Sequence, residues 1–595
     1  MSHTFHIPVL GLAYSVDTPL KVARYGISSA VSIVDDILIE RMRELYAKKN
    51  SERFIAIDSK EPDFRSKRIK AYLNTLNKLV NEQFEKLKGE KFEAGTDITR
   101  YFQLLPDTSP LKAHYEIMLR ETDREKKAAL QEDLRRDMQK GEIQVNIMAK
   151  VDRMNLNDQG DQISDALTAL KGFAESELSS AVVLSAGMNP RLYSYLESFS
   201  DFLPDHLGHF KKKVILKVSD FRSALIQAKF LAKKGIWVSE FRIESGLNCG
   251  GHAFATEGYL LGPILEEFKS KRLEMIDELL LIYNRTLEEK GLRLNQKPEL
   301  KISVQGGIGT SHENVFLMNH YQLDATGWGS PFLLVPEATN VDAETLELLS
   351  TASHDDFYIS GSSPLGIPFN NFRKSSGEKQ RLERIAKGRP GSPCVKKFLS
   401  SNTEFTDQPI CTASREYQNL KIKQLESEGL EAEVFKAKFE EITEKICLCE
   451  GLATPAYLKN DMIKAKENKA TVICPGPNIA YFKGKFSLDE MVSHIYGKLN
   501  LLNDTERPNL FINELNLYVE YLKKDLNRHL QEMNDKKAKY LSKFKDQLEN
   551  GIEYYKQLIP FITDQTEVYR KKMLAELLEI EQKLKYLDLE VKPQI

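Results

Sequence analysis

The chain has 595 residues, 41% apolar and 29% charged, a composition that fits a folded globular protein and excludes a disordered one. Its 84 Lys and Arg against 86 Asp and Glu leave a net charge of −2, which excludes a surface built wholly for nucleic acid. No apolar run reaches the ~20 residues of a membrane span, no secretory signal opens the chain, and six cysteines are too few for a disulfide scaffold, so the expected setting is cytoplasmic, with a small-molecule substrate and no membrane or nucleic-acid partner.

The first ~45 residues read as strand, helix, strand, helix. HIPVLGLAY is short and apolar, TPLKVARYG is helical and ends at Gly26, ISSAVSIV alternates, and DDILIERMRELYAKK has helical spacing. From about 46 to 140 the chain is charged and helical and reads as an insertion without a chemistry-bearing cluster. Alternation resumes after Gly141: strands at EIQVNIMAKV, SSAVVLSAG, KKVILKV, WVSEFRIES, LKISVQGG and LDATGWGS are separated by helices at DALTALKGFAESE, NPRLYSYLESF, DFRSALIQAKFLAKKG, GPILEEFKSKRLEMIDELLLIYNRTLEEKG and SHENVFLMNHYQ. Such alternation predicts a parallel α/β fold, and about eight strands ending in two Gly-rich turns favour a closed (β/α)8 TIM barrel over an open doubly wound sheet. The expected division is a barrel over 1–370, a Cys-containing α/β extension over 371–500, and a helical hairpin over 501–595. In the hairpin, Leu515, Val519, Leu522, Leu526 and Leu530, then Met573, Leu577, Ile580, Leu584 and Leu587, form apolar faces for the barrel or for another subunit in a homo-oligomer.

Two loops carry the chemistry first. Gln305-Gly306-Gly307-Ile308-Gly309-Thr310 joins a strand to a helix, and Gly327-Trp328-Gly329-Ser330 follows the next strand. Glycines let backbone N–H groups approach an anion, the helix start adds its dipole, and the loops after the seventh and eighth barrel strands are the usual phosphate site of this architecture. Two structural turns are the plain alternative. A third element, Glu244 to His252 (ESGLNCGGH), places a histidine behind a Gly-Gly pair at a strand end, where imidazole suits proton transfer near neutral pH; the plain alternative is a histidine bonded to loop carbonyls.

The stretch Val214–His252, with its Gly246-Leu247-Asn248-Cys249-Gly250-Gly251-His252 signature, resembles the nitronate monooxygenase family (2-nitropropane dioxygenases) and is similar to the related flavin-type enoyl-acyl-carrier-protein reductases. Val304–Ala338 resembles the family's second signature, a Gly-Gly-Ile loop followed by a helix and a Gly-Thr-x-Phe-Leu strand end, here Gly329-Ser330-Pro331-Phe332-Leu333. The match covers 141–340 and, more weakly, 5–45. The resemblance implies an FMN-binding barrel and a flavin-dependent oxidoreductase. By position, Gly306, Gly307, Gly327, Trp328, Gly329 and Ser330 would hold the FMN phosphate. Gly11, Leu12, Asn146 and Lys217 would lie at the flavin ring, with Ser245, Gly250 and Gly251 beside it, and His252 would be the catalytic acid or base. The departures are Ser245 for a Gln or Glu, Asn248-Cys249 for Glu-Ala, and Leu12 for a methionine. An enoyl-thioester reductase would also need NAD(P)H, and a non-catalytic barrel scaffold would need no flavin.

Cys394, Cys411, Cys447, Cys449 and Cys474 could ligate an iron–sulfur cluster or zinc through a C-x-C pair plus distant cysteines, but they lack the paired C-x2-C spacing of strong sites; scattered structural thiols are the plain alternative, and no metal is assigned. Cys249 reads as a small buried hydrophobe. The basic run from Arg373 to Lys397 reads as a solvated face, or as a grip on NAD(P)H phosphates or an acyl-thioester carrier.

Overall fold

The computed structural model describes residues 2–148, 152, 154–156, 162–205, 207–502, 505–529, 535–563 and 565–590. Eight parallel strands close into a barrel: β1 (Phe5–Ile7), β2 (Ser28–Ser32), β3 (Ile143–Ile147), β4 (Ser180–Leu184), β5 (Lys212–Val218), β6 (Val238–Glu244), β7 (Lys301–Gln305) and β8 (Ala325–Gly327). Closure is made by β1, which pairs with β8 at Phe5↔Thr326 and His6↔Gly327 and with β2 at His6↔Ser28. The expected (β/α)8 barrel is therefore present, and the open sheet is excluded. The tail of EIQVNIMAKV at 149–151 lies outside the described residues, as does Leu530.

The barrel strands are near-continuous apolar runs because both faces are covered, yet the lumen holds a polar layer. Arg242 on β6 is 1% exposed. Its Nε donates to Glu240 Oε1 at 2.9 Å and its Nη2 to Gln144 Oε1 on β3 at 3.0 Å, across the interior. The Ser303 hydroxyl donates to the same Glu240 oxygen at 2.6 Å. Burial, reinforced by the Arg242 charge, holds His6 neutral, its pKa well below the usual imidazole value.

Residues 46–140 are more than an excursion. Helix Phe64–Lys88 buries Ile69, Tyr72, Leu73, Leu76 and Val80 completely and packs on helices Asp36–Lys49 and Asp165–Ala174 of the outer ring. The approach is close enough that a Cβ on Gly172 would lie 2.6 Å from Ile69 Cγ2. The single long helix expected over 262–291 is two, Leu261–Ser270 and Arg272–Glu289, because the backbone leaves helical geometry at Lys271.

Beyond the barrel, residues 376–495 are helices joined by loops. Pairing there is confined to isolated bridges, Ser392↔Ser414 and Asn402↔Ile410, while the expected 371–500 extension opens on the end of strand Phe369–Phe372, which pairs antiparallel with Phe357–Ser360. The last segment is three mutually packed helices rather than a hairpin: Leu510–His529, Asp535–Leu558 and Glu567–Glu590. Leu515, Val519, Leu522, Leu526, Met573, Leu577, Ile580 and Leu584 are buried. Among the described residues no helix is long and apolar enough to cross a membrane.

Replacing Arg242 by Met should strand the Glu240 charge in the lumen and cost about 3–5 kcal/mol in chemical denaturation, whereas Arg242→Met with Glu240→Leu should recover most of it. A single-variant loss under about 1 kcal/mol would contradict the role given to this pair.

Candidate active site

The C-terminal strand ends open into a cavity of about 840 Å³. Thirteen of the fourteen residues expected at the site line it: Gly11, Leu12, Asn146, Lys217, Ser245, Gly250, Gly251, His252, Gly306, Gly307, Gly327, Gly329 and Ser330. Trp328 does not. Its N–H donates to His6 O at 3.0 Å, and its indole, 1% exposed, turns into the core with its centroid 5.9 Å from the His494 ring.

The two glycine loops present donors to this cavity. Gly306 and Gly307 have φ of 108° and 80°, a region costly for other residues. A Cβ on Gly307 would lie 2.0 Å from Asn248 Nδ2, so glycine is also required sterically. The N–H groups of Gly307, Ile308, Gly329 and Ser330 find no acceptor among the described residues. Asn146 Oδ1 and both polar atoms of the Asn248 amide are likewise buried without a partner among them. Buried groups of this kind are normally bonded, so the cluster is a concentrated polar vacancy.

The next N–H, that of Gly309, is already used: it donates to Glu313 Oε2 at 2.9 Å, and Glu313 Oε1 meets Arg507 Nη1 at 2.6 Å, both side chains being 4% exposed. Arg507 Nε donates to Asn478 Oδ1 at 2.8 Å, and Arg507 Nη2 donates to Gly307 O. Asn478 Nδ2 donates to Ile308 O at 2.8 Å. His494 Nε2 donates to Gly309 O at 2.8 Å while its Nδ1 accepts from Leu501 N, which fixes a neutral tautomer, and burial lowers its pKa. The segment 474–476 completes the clamp: Gly476 N donates to Ser330 Oγ at 2.7 Å and Gly251 N donates to Cys474 O at 2.9 Å.

On the wall between β5 and β7, Lys217 Nζ and Gln305 Nε2 donate to Glu244 Oε1 at 3.2 and 2.7 Å. His252 Nε2 lies 2.8 Å from Ser363 Oγ, and its ring packs edge-on to Phe369 with centroids 5.0 Å apart. Only the backbone side of Ser245 serves the cavity, because its hydroxyl donates to Glu514 Oε1 at 2.5 Å. Burial pushes the Cys249 thiol well above its usual pKa, which makes it inert as a nucleophile. Glu244 and Gln305 end strands and were open to discovery from sequence as strand-end polar groups. Glu313, Asn478 and Arg507 carry no local signal that ties them to the site.

Glu514 is fully buried, and desolvation raises its pKa to about 7. The folded state thus binds this proton more tightly than the unfolded state, so the contribution to stability is largest below the ordinary carboxylate pKa and falls as pH rises towards about 7. We expect a decline of about 3 kcal/mol across that window, and its removal in Glu514→Gln, measured by denaturation at several pH values. An unchanged pH slope in the variant would assign the effect elsewhere.

No family model and no curated protein matches the chain. Among solved structures it is similar to FabK from Thermotoga maritima, at 12% identity and TM-score 0.35, covering 88% of this chain and 96% of that one. It is also similar to the enoyl reductase domain of MlnA from the macrolactin biosynthesis cluster of Bacillus amyloliquefaciens, at 12% identity and TM-score 0.40, covering 89% and 97%. A nitroalkane oxidase from Streptomyces ansochromogenes matches at 10% identity and TM-score 0.34, covering 84% and 97%. The functional reading of this chain rests on its own barrel and site.

Proposed function

We propose that this protein is an FMN-dependent oxidoreductase of the nitronate monooxygenase-like class, with the flavin in the barrel mouth. The observation that carries the reading is the set of N–H groups at Gly307–Ile308 and Gly329–Ser330, which meet no protein acceptor among the described residues and line one cavity from two neighbouring loops. A phosphate supplies acceptor oxygens for such a set. The orphaned Asn146 Oδ1, across the same cavity, offers an acceptor to a ring N–H.

In this reading Gly306, Gly307, Gly327, Gly329 and Ser330 hold the phosphate, and Gly11, Leu12, Gly250 and Gly251 flank the ring with Asn146 and Lys217. The bound flavin supplies the redox chemistry, which side chains lack. Lys217, paired with Glu244, places a cation on the wall without adding net charge. His252 exchanges a proton with the substrate, and the Ser363 hydroxyl, bonded to its Nε2, fixes the ring's orientation. The Gly309 N–H, committed to Glu313, takes no part in phosphate binding.

Purified protein should absorb in the flavin bands and release FMN in acid. Ser330→Asp keeps an acceptor for Gly476 N–H but sets a carboxylate in the cradle, so it should give folded, colourless protein; retained FMN would refute the assignment. His252→Ala should keep flavin and lose about 10²–10⁴-fold in turnover of a small alkyl nitronate. Full turnover would remove His252 from the mechanism. Anaerobic bleaching by NAD(P)H, with no nitronate turnover, would instead make the protein an enoyl-thioester reductase.

A further inference from the structure

Asn248 is the one cavity-lining side chain, among the described residues, whose donor and acceptor are both buried and both unbonded. The residue is 2% exposed. Nearby amides are already used. Asn370 Nδ2 donates to Cys249 O at 2.8 Å, and Gln305 Nε2 donates to Glu244 Oε1 at 2.7 Å. Asn478 Nδ2 donates to Ile308 O at 2.8 Å while its Oδ1 accepts from Arg507 Nε at 2.8 Å. Turning the Asn248 amide over changes nothing, because neither of its ends has a partner to exchange. Buried amides are normally bonded, so this one is completed by a ligand that offers both an acceptor and a donor.

The backbone, not the amide, holds Asn248 in place. Its N–H donates to Ser245 Oγ at 3.3 Å, and the Ser245 hydroxyl is itself anchored on Glu514. The side chain lies against Gly307: a Cβ there would meet Asn248 Nδ2 at 2.0 Å, Cγ at 2.6 Å and Oδ1 at 3.2 Å. The amide therefore stands beside the loop whose Gly307 and Ile308 N–H groups also lack an acceptor. A phosphate would satisfy those N–H groups and Nδ2 together, since all of them donate. It would leave Oδ1 unbonded, because an ionised phosphate offers acceptor oxygens. Oδ1 requires an O–H or N–H next to the anion. A bare phosphate or sulfate lacks one, whereas a hydroxylated carbon chain ending in a phosphate ester carries one.

We propose that Asn248 recognises the junction of a phosphorylated polyol chain, its Nδ2 donating to a phosphate oxygen and its Oδ1 accepting from the hydroxyl nearest the ester. This role rests on the flavin reading of the cavity, in which that chain is the ribityl phosphate of FMN. It adds a selectivity that the glycine loops alone do not have, because their N–H groups respond to the anion and not to the carbon chain that bears it. The family signature that this loop resembles has a glutamate here, one methylene longer and without a donor when ionised, so the amide belongs to this chain and not to that signature.

The test is binding, read from flavin fluorescence as the full chain, stripped of flavin, is titrated with FMN or with 4′-deoxy-FMN, which lacks the hydroxyl next to the ester. The wild-type chain should bind FMN about tenfold more tightly than the deoxy analogue. Asn248→Leu, of similar size and without either polar atom, should erase that preference. Asn248→Asp keeps the acceptor but turns an oxygen towards the phosphate, so it should weaken both ligands by at least about tenfold and retain the preference between them. Equal affinity of the wild-type chain for the two ligands, a preference that survives in Asn248→Leu, or undiminished FMN affinity in Asn248→Asp would overturn the role given to this amide. If circular dichroism shows that the variants do not fold, the wild-type comparison decides alone. A wild-type chain that binds neither ligand ends the flavin reading itself, whereas one that binds FMN as its Asn248 variants do ends only the part assigned to Asn248.

Discussion

The Arg507–Glu313 pair holds the Gly306–Gly309 loop of the barrel mouth from outside the barrel. Glu313 lies in the first turn of helix Ser311–His320, where its carboxylate also receives the N–H groups of Gly309 and Leu510. Arg507 satisfies its remaining donors on Asn478 and the Gly307 carbonyl. A buried ion pair repays its desolvation only when its other hydrogen-bonding positions are filled, and here they are filled by the loop that needs positioning. The conformation of Gly306–Gly309 thus depends on residues nearly two hundred positions away.

That dependence explains what the sequence made visible. The barrel was legible because each strand and helix announces itself over ten residues or so, through apolar runs, glycine ends and caps such as Asp220 on Ser223 N and Thr310 on Glu313 N. The glycine loops were legible for the same local reason. Trp328 was misplaced because the strand reading ran through Ser330, whereas β8 ends at Gly327 and residues 330–334 turn into a 3-10 helix, so alternation no longer decides where Trp328 points. The clamp of Asn478, His494 and Arg507 was illegible because its partners are separated by 170 or more residues and joined only by the fold.

Polar groups in this molecule follow a division of labour. The lumen layer of Arg242, Glu240, Gln144 and Ser303 is internally satisfied and contributes position rather than reactivity. One layer higher, at the strand ends, partners run short: Asn146, Asn248 and the two loop cradles keep unused capacity. Between them stands Glu244, shared by Lys217 and Gln305. The transition from complete to incomplete hydrogen bonding, moving up the barrel axis, marks where structure gives way to recognition.

The clamp also sets an order of events during synthesis. The last barrel strand is translated at Gly327, but the arginine that pins its neighbouring loop arrives about 180 residues later. At ribosomal rates of ~5–20 residues per second that is a delay of roughly 10–35 s. Through that interval a nascent barrel can be closed while its rim is still unfastened, with apolar helix faces awaiting the three-helix tail. The contacts that fasten the pocket's rim can therefore form only once the C-terminal fifth of the chain has been made.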